Sequence, residues 1–142
     1  MENHVVHKEI VLDAPPQTVW RALTDPEITK QYFYHCKVLS DWKVGSTITF
    51  KGKIFWIFPV KLSGKIKQIE PGKLLQYTLQ NHGSPGHSLV TDQLIDENGK
   101  TRLKITDDVG TAEGAAKRYK NSMRGWDKIL RGLKRTVEKP TT

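Results

Sequence analysis

Between about Ala112 and Glu138 the apolar residues Tyr119, Met123, Trp126, Leu130, Leu133 and Val137 recur at steps of four and three. That spacing gathers all six into one narrow stripe of an α-helix. The opposite side reads Lys117, Arg124, Lys128, Arg131, Arg135 and Lys139. Thr111 stands where a cap is expected, and Pro140 just past the end. At roughly 1.5 Å per residue such a helix is about 40 Å long, enough to cross a whole small sheet. Its apolar stripe has to be covered, so the remainder of the chain must build the surface it lies on. Gly125 and Gly132 fall inside the helix, each at a cost of about 1 kcal/mol relative to alanine. Close approach by another element, such as a short helix, accounts for that cost; a helix held by tertiary packing also tolerates it.

The surface is legible upstream as a sheet. His4 to Leu12 alternates, with Val6, Ile10 and Leu12 on one face and Val5 and Val11 on the other. Pro15-Pro16 ends this strand and opens a short helix that turns Val19, Trp20 and Leu23 inward. Asp25-Pro26-Glu27 repeats the signal with a capping acid, a proline in the first turn and a second acid, so a second short helix follows. From Val38 onward the pattern is strands and turns: Thr47 to Phe50, Lys61 to Ile69, then Pro71-Gly72 turning into Leu74 to Leu79. Leu75, Tyr77 and Leu79 share one face of that strand, and Gln76, Thr78 and Gln80 the other. Ser88 to Ile95 is joined through Asn98-Gly99, a strong hairpin signal, to Thr101, Leu103 and Ile105. Helices set to one side of an antiparallel sheet define an α+β architecture, expected here as a single domain over residues 1–142.

Composition narrows the function classes. With 37% hydrophobic and 27% charged residues the chain has enough apolar material for one sizeable core. The longest apolar run, Ile54 to Val60, has the length of a strand, so no membrane span is expected. The N-terminus lacks the basic and apolar regions of a signal peptide, and a cytoplasmic location is expected. Cys36 is the sole cysteine, which excludes an internal disulfide and a cysteine-based zinc site. The net charge of +8 raises nucleic acid or anionic lipid as partners. No nucleic-acid motif accompanies it, and a solvated helix face accounts for the basic stripe, so nucleic acid is not an expected partner.

Ala14-Pro15-Pro16-Gln17-Thr18-Val19-Trp20-Arg21-Ala22-Leu23-Thr24-Asp25-Pro26-Glu27 resembles the opening signature of the START-like helix-grip superfamily (Bet v 1-like, SRPBCC). The likeness is to the branch related to the heat-shock-protein-90 ATPase activator. Asp41-Trp42-Lys43-Val44-Gly45-Ser46, Gly64-Lys65-Ile66, Ile69-Glu70-Pro71, Leu75-Gln76-Tyr77-Thr78 and Gly125-Trp126 with Leu130, Leu133 and Lys134 agree with it. The resemblance implies a curved antiparallel sheet gripped by the long C-terminal helix. It further implies binding of a small, largely apolar molecule (lipid, polyketide or flavonoid-like) between them. A co-chaperone or protein-interaction module with a chaperone or other protein partner, and a cyclase or hydrolase, are the alternatives within the superfamily.

On that fold the expected cavity residues are Tyr119, Met123, Trp126 and Leu130 from the helix, with Phe50, Tyr77, Leu79 and Asp92 from the sheet. Tyr119 and Met123 combine an orienting polar atom with adaptable packing, whereas Trp126 reads first as structural. Asp92 is in phase with Val90 and Leu94. Facing inward it would be a carboxylate among apolar groups with a raised pKa; a single bulge would turn it to solvent instead. Ile54-Phe55-Trp56-Ile57-Phe58-Pro59 is either a strand buried on both faces or a rim where Trp56 and Phe58 gate the cavity. No catalytic set is expected, because adjacent residues such as His35 and Cys36 point to opposite faces of an extended chain. Asp107-Asp108 reads as a solvated exit from the last strand. His82 and His87 lack acidic or cysteine partners at metal spacing, so neither a metal nor a cofactor is expected.

Overall fold

The computed structural model describes residues 4–54, 58–81 and 87–138. Strand β1 (Val5–Leu12) is followed by helices α1 (Pro16–Thr24) and α2 (Pro26–Tyr32). Six strands come next: β2 (Cys36–Ser40), β3 (Thr47–Ile54), β4 (Phe58–Glu70), β5 (Leu74–Asn81), β6 (Ser88–Glu97) and β7 (Lys100–Asp108). Helix α3 (Ala115–Val137) completes the order. All seven strands form one antiparallel sheet in the order β1-β7-β6-β5-β4-β3-β2. The curved sheet, with α3 laid across its inner side, is an α+β helix grip.

Local chemistry explains the junctions. Asp25 caps α2, its carboxylate accepting from the Glu27 N–H at 2.8 Å. Asn98 and Gly99 both have positive φ, the requirement of a primed turn whose twist matches the flanking strands. Register slips between Ile66 and Gln68 where β4 pairs with β5, a bulge of the kind that bends a sheet.

Side chains alternate along β1, β5 and β7. Val6 and Leu12 of β1, Ile48 and Phe50 of β3, Leu75 and Tyr77 of β5, and Leu103 and Ile105 of β7 are buried. Trp126, Ile129, Leu130 and Leu133 of α3 close over them. Buried Ile129 broadens the helix stripe beyond its six expected positions. Both internal glycines meet the close approach expected of them. A Cβ on Gly132 would lie 2.8 Å from the Cβ of Tyr32, which ends α2, and one on Gly125 would lie 2.8 Å from the Tyr34 hydroxyl.

Helix α3 starts later than the pattern predicts. Gly110 and Gly114 both take positive φ, which holds residues 110–114 in turns and leaves Gly114, not Thr111, at the N-cap. The Arg118 guanidinium ties this turn down by donating to the carbonyls of Val109, Ala112 and Glu113. The Asp107-Asp108 expectation is corrected as well. Asp108 is exposed, but Asp107 continues the inward phase of Thr101, Leu103 and Ile105 and is only 6% exposed.

Candidate functional site

The interior that the grip encloses is nearly full. A void of about 20 Å³ remains beneath α3, room for about one water molecule. Phe50, Tyr77 and Asp92 line it from the sheet, Trp126 and Leu130 from α3, and Phe33 from the segment after α2. An aromatic cluster does most of the filling. Phe33 stacks on Phe50 with centroids 4.5 Å apart and meets Trp126 edge-on at 6.1 Å, while Phe50 leans on Tyr77 at 5.9 Å. Phe33 is followed by Tyr34 and His35, both in left-handed backbone, a conformation that costs on the order of 1–3 kcal/mol each for such residues.

Two carboxylates lie in this apolar setting on adjacent strands. Asp92 of β6 stands opposite Ile105, and Asp107 of β7 opposite Val90, so the two are diagonal neighbours on the inner face. Their hydrogen bonding differs. Asp107 Oδ2 accepts from Trp126 Nε1 at 2.8 Å and from Ser122 Oγ at 2.5 Å. Asp92 is 3% exposed, and its Oδ1 accepts no hydrogen bond among the described residues. Burial, reinforced by the neighbouring Asp107 charge, pushes the Asp92 carboxyl up to about 7. Burial likewise raises the Tyr77 phenol well above its ordinary value, with Asp92, Asp107 and Tyr32 adding to the effect. The Tyr32 phenol, raised by burial and then by Asp92, donates to the Ala22 carbonyl at 2.7 Å.

The structure therefore brings Phe50, Tyr77, Asp92, Trp126 and Leu130 together around the void. Tyr119, Met123 and Leu79 are partly buried and pack against the core's margin, outside the void lining. They sit toward the end of the sheet where β1 begins and β5 and β7 finish, and Tyr119 meets His4 edge-on at 5.9 Å. Trp56 lies outside the described residues, as does the side chain of Phe58, whose backbone opens β4. His35 is exposed while Cys36 is buried, the opposed directions expected of neighbours. Sequence reasoning missed Asp107, Phe33 and Ser122. For Asp107 the signal was available: it is the next step of the same two-residue period that places Leu103 and Ile105 inside.

Larger depressions lie at the surface. One of about 700 Å³ runs between Pro15-Pro16 and the β4–β5 turn, and its charged residues, Glu70, Lys73 and Asp96, are exposed. Among the described residues no helix is long and apolar enough to cross a membrane.

Topology and interior together define a helix-grip protein whose nearly full apolar interior holds two buried carboxyls. The family model for Activator of Hsp90 ATPase homolog 1-like protein matches residues 13–138, and the chain belongs to that family. The structure is similar to protein CV1439 from Chromobacterium violaceum, with TM-score 0.84, 26% identity and coverage of 96% of this chain and 99% of that one. It is also similar to ChR145 from Cytophaga hutchinsonii, with TM-score 0.76, 33% identity and 97% of each chain covered. CalU16 from Micromonospora echinospora shares the fold with TM-score 0.76 at 23% identity, over 94% of this chain and 76% of that one. Among curated proteins no match was found.

Proposed function

We propose that this protein binds a small, largely apolar molecule in the interior between α3 and the sheet. The observation that carries this reading is Asp92: a buried carboxyl with an unpartnered oxygen, facing a void whose other walls are aromatic and aliphatic. A core that served stability alone would be more stable with an apolar side chain there. The void as it stands holds no ligand of useful size, so binding requires the Phe33–Phe50 stack to yield. The strained Tyr34–His35 segment is the part of the wall best suited to move Phe33 outward. In this reading Phe50, Tyr77, Asp92, Trp126 and Leu130 contact the ligand, and Leu79, Tyr119 and Met123 flank its route of entry.

A ¹⁵N NMR titration against lipids, flavonoids and aromatic polyketides tests the idea. Saturable shifts are expected at the Trp126 indole and the amides of Tyr77 and Asp92. Absence of such shifts with every compound would sink it.

A second reading, a protein-interaction module, gains from the same near-full interior and from the family's description. It expects no interior response to small molecules, with shifts confined to surface residues on addition of a protein partner.

A further inference from the structure

We propose, resting on the reading of a ligand-binding interior, that the ligand carries a hydrogen-bond donor at its buried end, a hydroxyl or a protonated amine, received by Asp92. Asp107 shows how this fold satisfies a carboxylate it uses structurally: two side-chain donors, Ser122 and Trp126, converge on one oxygen. Nothing comparable is built around Asp92. Its Oδ1 has no partner, and neither does Oδ1 of Asp107, among the described residues. No ion pair among the described residues engages either acid; Lys8, on the inner side of β1, is taken by Asp127 at 2.9 Å.

Facing Asp92 are the Asp107 carboxyl from β7 and two phenols, Tyr77 from β5 and Tyr32 from α2; the Tyr32 hydroxyl is committed to Ala22, and the Tyr77 hydroxyl makes no hydrogen bond to Asp92 Oδ1. Above pH 7, where Asp92 is ionised, a ligand that ended in a carbonyl or carboxylate would add a further acceptor to this corner. One that ended in a donor would supply what Oδ1 lacks, while its body replaced the aromatic stack. The donor requirement thus follows from the geometry of the site, which leaves one oxygen of each buried acid, Oδ1 of Asp92 and Oδ1 of Asp107, without a hydrogen-bond partner among the described residues.

The test uses three probes of one shape: 4-propylphenol, its methyl ether, and 4-propylbenzylamine, each titrated into the intact chain by NMR at pH 8, where Asp92 is ionised. The phenol is expected to bind about tenfold more tightly than the ether, with the amine showing whether a charged donor is preferred to a neutral one. Asp92→Leu is expected to bring phenol and ether within about twofold of each other, and Asp92→Asn, which keeps an acceptor, to retain part of the preference. Equal binding of phenol and ether to the unmodified protein overturns the donor requirement and leaves the binding interior intact. A preference that survives Asp92→Leu also overturns it, because the donor is then read elsewhere. If no probe moves the Trp126 and Tyr77 signals, the binding interior itself fails, and a lone buried water becomes the occupant of the void.

Discussion

The two halves of α3 cover different interiors. From Ala115 to Trp126 the helix serves a polar corner, with Ser122 and Trp126 reaching down to Asp107. From Ile129 to Val137 it offers the interior only apolar contacts: Gly132 nests on Tyr32, and Ile129, Leu130 and Leu133 close over the void that Asp92 faces unserved. Beyond that half, the Glu138 carboxylate accepts from the Asp13 N–H at 2.8 Å and so fastens the helix end to the exit of β1. The first half meets the polar demand beneath it. The second lies over an acid it does not serve, and a ligand site needs a wall of that kind.

The largest effect should come from Trp126, which serves both the packing and the carboxylate. Trp126→Ala is expected to cost about 4 kcal/mol in urea unfolding, because it leaves a cavity and removes a donor from Asp107. A loss no greater than that of an exposed substitution would erase the distinction between the halves.

Asp92 should act in the opposite direction. Its folded-state pKa, about 7, lies above its ordinary value of 3.8, so the unfolded chain releases this proton first as pH rises. Stability from this group is fully present below about pH 4, falls between pH 4 and 7, and is level above. Asp92→Asn should therefore raise stability at pH 8 by about 4 kcal/mol, with no gain at pH 4. Denaturation midpoints across this range check the sign, and an equal effect at both ends would refute the buried-acid account.

In the second half, Gly132→Ala is expected to lose about 2 kcal/mol, since the new methyl would press on the Tyr32 Cβ and backbone and force α2 to shift. A neutral or stabilising outcome, as helix propensity alone would give, would show that this half is looser than its geometry implies.

Where strong local signals existed, the sequence was readable. The helix stripe, the Asp25 cap, the Asn98-Gly99 hairpin and the close approach at Gly132 each rest on a few neighbouring residues with one physical meaning. The inner-face phase of β5 and β7 also followed from alternation. The site was harder to read because it depends on how distant strands are juxtaposed. Whether Asp92 faced in or out turned on the absence of a bulge in β6, and its lack of a partner depends on Ser122 and Trp126 being spent on Asp107. Tyr119 and Met123 share the stripe of Trp126, yet they lie outside the void, whose lining takes Phe33 from a segment with no regular pattern. The turn at residues 110–114 was likewise hidden, since it rests on positive φ at Gly110 and Gly114.

The placement of β1 has a consequence in time. It is the first strand made, yet its neighbour is β7, with Val5 against Asp108 and Leu12 against Thr101, while β2, the next strand in sequence, lies at the far edge. About a hundred residues must leave the ribosome before β1 has a partner, a wait on the order of ten seconds at ordinary rates of synthesis. During that interval its backbone edge and its valines are free to join other chains. Refolding from denaturant faces the same long loop, so this protein should regain its structure in milliseconds to seconds, slowly for its size.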